Sequence, residues 1–117
     1  MQYLLLIYGN ESYWEKPGFE QQKMVGDYMD FTKSITASGH YKGGNRLDFT
    51  SKATTVRVRD GKKLVTDGPF AETKEQLGGF YMIDAKDLDD AIAVAARIPS
   101  ARFGSIEVRP IVVRNQS

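Results

Sequence analysis

Apolar positions fall in short runs separated by glycine, proline and charge, and their spacing changes along the chain. Gln2 to Tyr8, QYLLLIY, is a nearly continuous apolar run ended by Gly9-Asn10, the pattern of a buried strand. A loop punctuated by Pro17-Gly18 follows. From about Phe19 to Ser38 the period lengthens. Met24, Tyr28, Phe31 and Ile35 recur at three and four residues, which predicts an amphipathic helix closed by Gly39 as its C-cap. HYKGGNRLDFTSKA is irregular and holds at most a weak strand near Asn45 to Phe49. TTVRVRDGKKLVT then places Asp60-Gly61 between two β-rich runs, the composition of a two-residue type I′ hairpin. Beyond the polar stretch TDGPFAETKEQL, GGFYMIDA predicts another strand. Asp87 begins a second helix as N-cap, with Asp89 and Asp90 favourable in its positive first turn. Leu88, Ile92, Ala95 and Ala96 give that helix an apolar stripe, and Pro99 stops it. Ser105 to Val113 is the last strand.

The predicted order is β-α-β-β-α-β with a hairpin drawn out long in the middle. That is the ferredoxin-like α+β order, an antiparallel sheet with two helices on one face. YLLLIY and FYMI are apolar at positions facing both sides of the sheet. Two helices cover only one face, and an antiparallel sheet with its other face in water alternates apolar with polar. The second face is therefore expected either to meet a second copy of the chain, sheet against sheet, in a two-fold homodimer, or to be a coarse sheet with a few exposed aromatics.

Composition narrows the function classes. The chain has 117 residues, the length of one domain spanning 1–117, with 41% hydrophobic and 26% charged residues. Disorder is expected only at the last few residues. Sixteen Lys and Arg balance fifteen Asp and Glu for a net charge of +1, which makes no electrostatic case for nucleic acid. With no cysteine, disulfides and thiolate chemistry are excluded, and a single histidine argues against a His-based metal site. No metal or nucleotide motif is present, so no cofactor is expected. The N-terminal apolar run is too short for a membrane span, so the chain is expected to be cytoplasmic, with no membrane partner.

VTDGPFAETKEQLGGFYMID resembles the signature segment of the DGPF-type proteins in the YCII-related superfamily. YLLLIYG, ATTVRVRDGK and GSIEVRP fall where that family has its first strand, its hairpin and its last strand, so the resemblance runs over nearly the whole chain. It implies a ferredoxin-like fold forming a dimeric α/β barrel, with a cleft near the sheet-to-sheet interface. The superfamily is similar to small enzymes with a His and an Asp as acid–base pair. DGPF-type genes often neighbour genes for extracytoplasmic-function sigma factors. The helix-borne His of the family falls at or near Tyr28 here, whereas the single His of this chain, His40, follows the helix.

Candidate chemistry centres on the signature segment. With Asp60-Gly61 as a two-residue turn, Arg59 pairs with Lys62, Arg57 with Leu64, Val56 with Val65 and Thr54 with Asp67. Val56, Val58, Val65 and Asp67 then share one face. A carboxylate at the edge of an apolar, partly closed face has a raised pKa and suits acid–base work. Asp before Gly-Pro is equally ordinary turn chemistry, its side chain accepting backbone N–H bonds. Glu72, Lys74 and Glu75 read either as a charged lip that holds a polar ligand or as a solvated helical turn. Gly78-Gly79 reads as a bulge or as a place of close backbone approach. Arg57 lies on the hairpin face opposite the valines and joins the candidate ligand contacts. Tyr28 is either core or a cleft hydroxyl standing where the family's His would be. His40 reads as a surface residue, and Trp14 as a cap on the cleft or a packing residue.

Charge is unevenly distributed. Lys52 to Lys63 carries five cations and one anion, a local net of +4, while Asp67 to Asp90 carries seven anions and two cations, a local net of −5. These are either solvated surfaces or complementary lobes of a dimer. Three functions follow: a non-catalytic homodimeric module binding a small molecule or partner, with a tie to sigma-factor regulation; a cofactorless acid–base enzyme using Asp67 on a small polar or aromatic substrate; or a structural dimer.

Overall fold

A computed structural model describes residues 1–114. The disorder expected of the final residues falls on positions 115–117, outside that range. Six strands and two helices follow in the order β1 (Gln2–Gly9), α1 (Gln21–Ala37), β2 (Tyr41–Arg46), β3 (Thr54–Arg59), β4 (Lys62–Asp67), β5 (Gln76–Asp84), α2 (Leu88–Ala96) and β6 (Ser105–Pro110). The main sheet has the order β2-β5-β1-β6, with every neighbouring pair antiparallel. Each helix-bearing connection skips one strand, the interleaved pattern consistent with a ferredoxin-like α+β fold. None of the helices among the described residues is long and apolar enough to cross a membrane.

The core lies between the helices and one face of this sheet. Tyr3, Leu5, Tyr81 and Ile83 from the sheet meet Phe31 and Ile35 of α1, Ala91, Val94 and Ala95 of α2, and Ile98. Fully burying each large aliphatic side chain contributes about 1.5–3 kcal/mol. The rings of Phe31 and Tyr81 stand edge to face with centroids 5.3 Å apart. On the opposite face Leu4 is paired with Met82 and Leu6 with Phe80, all four half-buried.

The expected punctuation holds. Gly39 takes φ +83°, and the N–H groups of Gly39 and His40 donate to the carbonyls of Thr36 and Ile35, which closes α1 as a Schellman motif. The Asp87 side chain accepts the Asp90 N–H at 2.9 Å and caps α2. Asp60 and Gly61 both have positive φ, and the hairpin has the expected register from Arg59 with Lys62 to Thr54 with Asp67.

Three expectations are corrected. The second strand is Tyr41–Arg46 rather than 45–49. Its glycines carry no apolar pattern, yet they fit: a Cβ on Gly44 would lie 2.7 Å from the Phe80 carbonyl oxygen, so glycine lets β2 approach β5. The buried stripe of α2 is Ala91, Val94 and Ala95, while Leu88, Ile92 and Ala96 are exposed. Asp90, bound to His40, sets the roll of the helix, and its alanines allow close packing on the sheet. The last strand ends at Pro110, and Val112 and Val113 are exposed beyond it.

Among the described residues β3 and β4 pair only with each other, apart from the main sheet. The radius of gyration is 16.5 Å, against about 13 Å for a compact chain of this length. The valine face of this arm is open, with Val56, Val58 and Val65 exposed at 58, 62 and 57%.

Candidate functional site

A cleft of about 680 Å³ opens between α1 and the adjoining ends of β1, β2 and β5. Met24, Tyr28 and Thr32 line it from the helix, Ile7, Gly79 and Tyr81 from the sheet, and Trp14 and Arg46 from its rim. Gly78 is skipped between the pairs Ile7 with Gly79 and Tyr8 with Leu77, so it forms a bulge in β5 that also lines the cleft.

The loop carrying Trp14 is fixed by local polar chemistry. Asn10 accepts the Ser12 N–H at 3.0 Å and starts a 3₁₀ turn over Glu11–Glu15. The Glu11 carboxylate accepts the Thr50 N–H at 2.7 Å and its hydroxyl at 2.8 Å, joining this turn to the segment after β2. Gln21 donates to the Trp14 carbonyl at 2.6 Å, and the Trp14 and Phe19 rings meet at 5.0 Å. The guanidinium of Arg46 lies over Trp14, 4.1 Å from the ring centroid. Among the described residues Arg46 forms no ion pair.

Hydroxyl pairs lie deeper. The Tyr28 and Ser100 hydroxyls are 2.5 Å apart, and those of Thr32 and Tyr81 are 2.8 Å apart. Burial pushes the Tyr28 phenol above its ordinary pKa, a larger effect than the opposing hydrogen bond from Ser100 and the charge of Arg46. Burial does the same to Tyr81. Both phenols therefore keep their protons at neutral pH, and either hydroxyl of each pair can be the donor.

A sequence model of the YCII-related domain matches residues 1–115. The chain belongs to the YCII-related family. An uncharacterized protein of Rhizobium meliloti (strain 1021) is similar to it, 39% identical over 118 residues that cover 97% of this chain and 94% of the relative.

In this YCII-related domain Tyr28, Trp14 and the Gly78-Gly79 pair are the residues singled out as site candidates in the sequence that line the cleft. Asp67 ends β4 on the valine face, opposite Thr54 as its register requires, and is exposed. Gly68, with φ +95°, donates to the Ala53 carbonyl at 2.7 Å and accepts from the Thr55 hydroxyl at 2.8 Å, closing the base of the arm. Glu72 and Lys74 are exposed and Arg57 is half-buried, and all three lie outside the cleft lining. Glu75 accepts a hydrogen bond from the Ser105 hydroxyl at 2.8 Å. The segment between β4 and β5 is a non-helical turn in which Thr73 donates to the Glu75 carbonyl and Gln76 to that of Thr73. Within one chain these candidates do not converge on Tyr28.

His40 is a correction. Its side chain is only 19% exposed, its Nδ1 lies 2.7 Å from the Ser38 hydroxyl, and its Nε2 lies 3.1 Å from Asp90. The Lys86 N–H, ahead of the His40 imidazole, holds the Asp90 carboxyl below its ordinary pKa. Ser100, Thr32 and Arg46 had no local signal as site residues, because their partners lie far away in sequence. Tyr81 could be flagged only as one of the apolar residues of FYMI. Among the described residues no three His, Asp or Glu side chains converge as metal ligands.

Proposed function

We propose that this domain, a YCII-related protein of the DGPF type, is a homodimeric binding module for a small molecule held in the cleft beside α1. The observation that carries this is the cleft itself. Its volume of about 680 Å³ falls in the range of ligand sites, roughly 300–1,000 Å³, and a few convergent polar groups stand among apolar walls. The homodimer draws support from the apolar outer face of the sheet, from the open valine face of the arm and from the opposite local charges of Lys52–Lys63 and Asp67–Asp90. In such a dimer the partner's arm covers the cleft mouth, with Asp67, Arg57, Glu72, Lys74 and Glu75 at the rim. A cytoplasmic location and a tie to sigma-factor regulation belong to the same proposal, resting on the DGPF resemblance.

A cofactorless acid–base enzyme is the second reading. The placement of Asp67 on the valine face favours it, since a partner covering that face would desolvate the carboxylate next to a protonated Tyr28. Calorimetric screening of a metabolite library tests both, with Tyr28→Phe and Asp67→Asn alongside. A ligand whose affinity falls in Tyr28→Phe supports the binding module, and turnover lost in Asp67→Asn supports the enzyme. A ligand indifferent to Tyr28→Phe would sink the cleft as its site.

A further inference from the structure

We infer that the cleft takes a small organic anion, an apolar and preferably aromatic body bearing one carboxylate, with the charge received at Arg46 and the body packed beside Trp14. This rests on the cleft being the binding site and adds the class of molecule it holds.

Arg46 carries the inference. Its guanidinium is positioned by stacking on Trp14 rather than by a counter-ion. Stacking occupies the face of the guanidinium and leaves its edge donors available, the geometry that receives a carboxylate in bidentate fashion. Two acidic residues, Glu11 and Asp48, also line the cleft. Both oxygens of Glu11 accept from Thr50, and Asp48 accepts the Phe49 N–H at 2.7 Å. Neither is paired with Arg46, and Lys33 on the helix side adds a second cation without an ion pair among the described residues.

The hydroxyl pairs point the same way. Tyr28 with Ser100, and Thr32 with Tyr81, each hold two O–H protons and share one hydrogen bond. One proton in each pair is left to donate to a ligand. The cleft thus offers a guanidinium edge and two spare hydroxyl donors. Such a set rewards an acceptor-rich, negatively charged group. The walls from Ile7, Met24, Met29 and Trp14 are apolar, and the soft thioethers of the methionines adapt to a flat ring.

The test uses 2-naphthoate and its neutral counterpart 2-naphthamide on the full chain. Trp14 is the only tryptophan, so its emission reports occupancy of the cleft, and calorimetry gives the affinities. In the unaltered protein naphthoate binds at least about tenfold more tightly than naphthamide, the size of one charge-assisted hydrogen-bonded contact. In Arg46→Met that advantage falls to within about twofold, naphthoate losing more affinity than naphthamide, while the melting temperature stays close to the parent. Arg46→Lys retains part of the advantage, since lysine keeps the charge without the fork. Equal binding of acid and amide by the unaltered protein, or a preference that survives Arg46→Met, overturns the anion inference and leaves the cleft as a site. If neither compound binds or perturbs Trp14, the cleft reading fails and the inference with it.

Discussion

The hydroxyl of Tyr28 lies 2.5 Å from that of Ser100, a residue 72 positions away in the chain. The bond joins α1 to the 3₁₀ turn that follows α2, so both helix-bearing connections contribute to the cleft lining. Tyr28 is a half-buried phenol that lines the cleft. At neutral pH it keeps its proton and can both donate and accept hydrogen bonds.

Tyr28→Phe keeps the ring and deletes the hydroxyl. The Ser100 hydroxyl loses its partner, so the variant should be less stable by about 0.5–1.5 kcal/mol, read as a lower urea midpoint at unchanged m-value. The buried phenols also titrate late. A raised pKa favours folding at pH values below the ordinary 10.0, and that contribution disappears as pH rises through the higher folded value. Absorbance titration of the phenols should therefore lose one late-titrating group in Tyr28→Phe and one in Tyr81→Phe. A late component unchanged in both variants would refute the assignment.

Asp90 shapes the acid limb. Its folded carboxyl is held below the ordinary 3.8, chiefly by the Lys86 N–H and then by His40. A depressed pKa contributes stability that is present above the unfolded value and lost as pH falls through the folded one. The stability gap between the parent and Asp90→Asn should be open at pH 5 and narrow steadily below about pH 3.9. A gap independent of pH in that window would show that Asp90 acts by shape alone.

Sedimentation tests the homodimer. At micromolar concentration the parent should run at twice 13.1 kDa. Val56→Asp and Val58→Lys alter side chains already exposed within the chain, so they should return the mass to 13.1 kDa without changing the far-ultraviolet circular dichroism. A parent that sediments as a monomer removes the reason for an apolar outer face.

Gly44→Ala probes the meeting of β2 and β5. The added methyl would sit 2.7 Å from the Phe80 carbonyl oxygen and 3.0 Å from the Tyr81 ring. Backbone must move to relieve the first contact, at about 1–3 kcal/mol. Thermal melting should show the loss, whereas Gly43→Ala, with open space around its Cβ, should cost far less.

Much of this fold is legible locally. Asp60-Gly61 dictates a turn, the turn dictates the register, and the register places Asp67 opposite Thr54. Gly39 and Asp87 mark helix ends because their roles depend on a few neighbouring backbone groups. β2 was obscure because its pattern belongs to its partner: glycine is required by the Phe80 carbonyl, a long-range fact. The roll of α2 was obscure because LDDAIAVAA has apolar residues around most of its circumference, and the Asp90–His40 contact chooses among its faces. Of the cleft, Tyr28, Trp14 and Gly78-Gly79 were legible. Arg46 meets Trp14, and Ser100 meets Tyr28, only through the tertiary fold.

The arm of β3 and β4 has a further consequence. A two-stranded ribbon without cover is only marginally stable in water, and among the described residues this one pairs with nothing else. If a second copy supplies the cover, mass action sets how firmly the ribbon is held. Dilution would loosen it before the main sheet opens. A protease acting near Lys62 and Lys63 would then cut quickly in dilute solution and slowly in concentrated solution, so the rate of a single nick would report how much of the protein has found its partner.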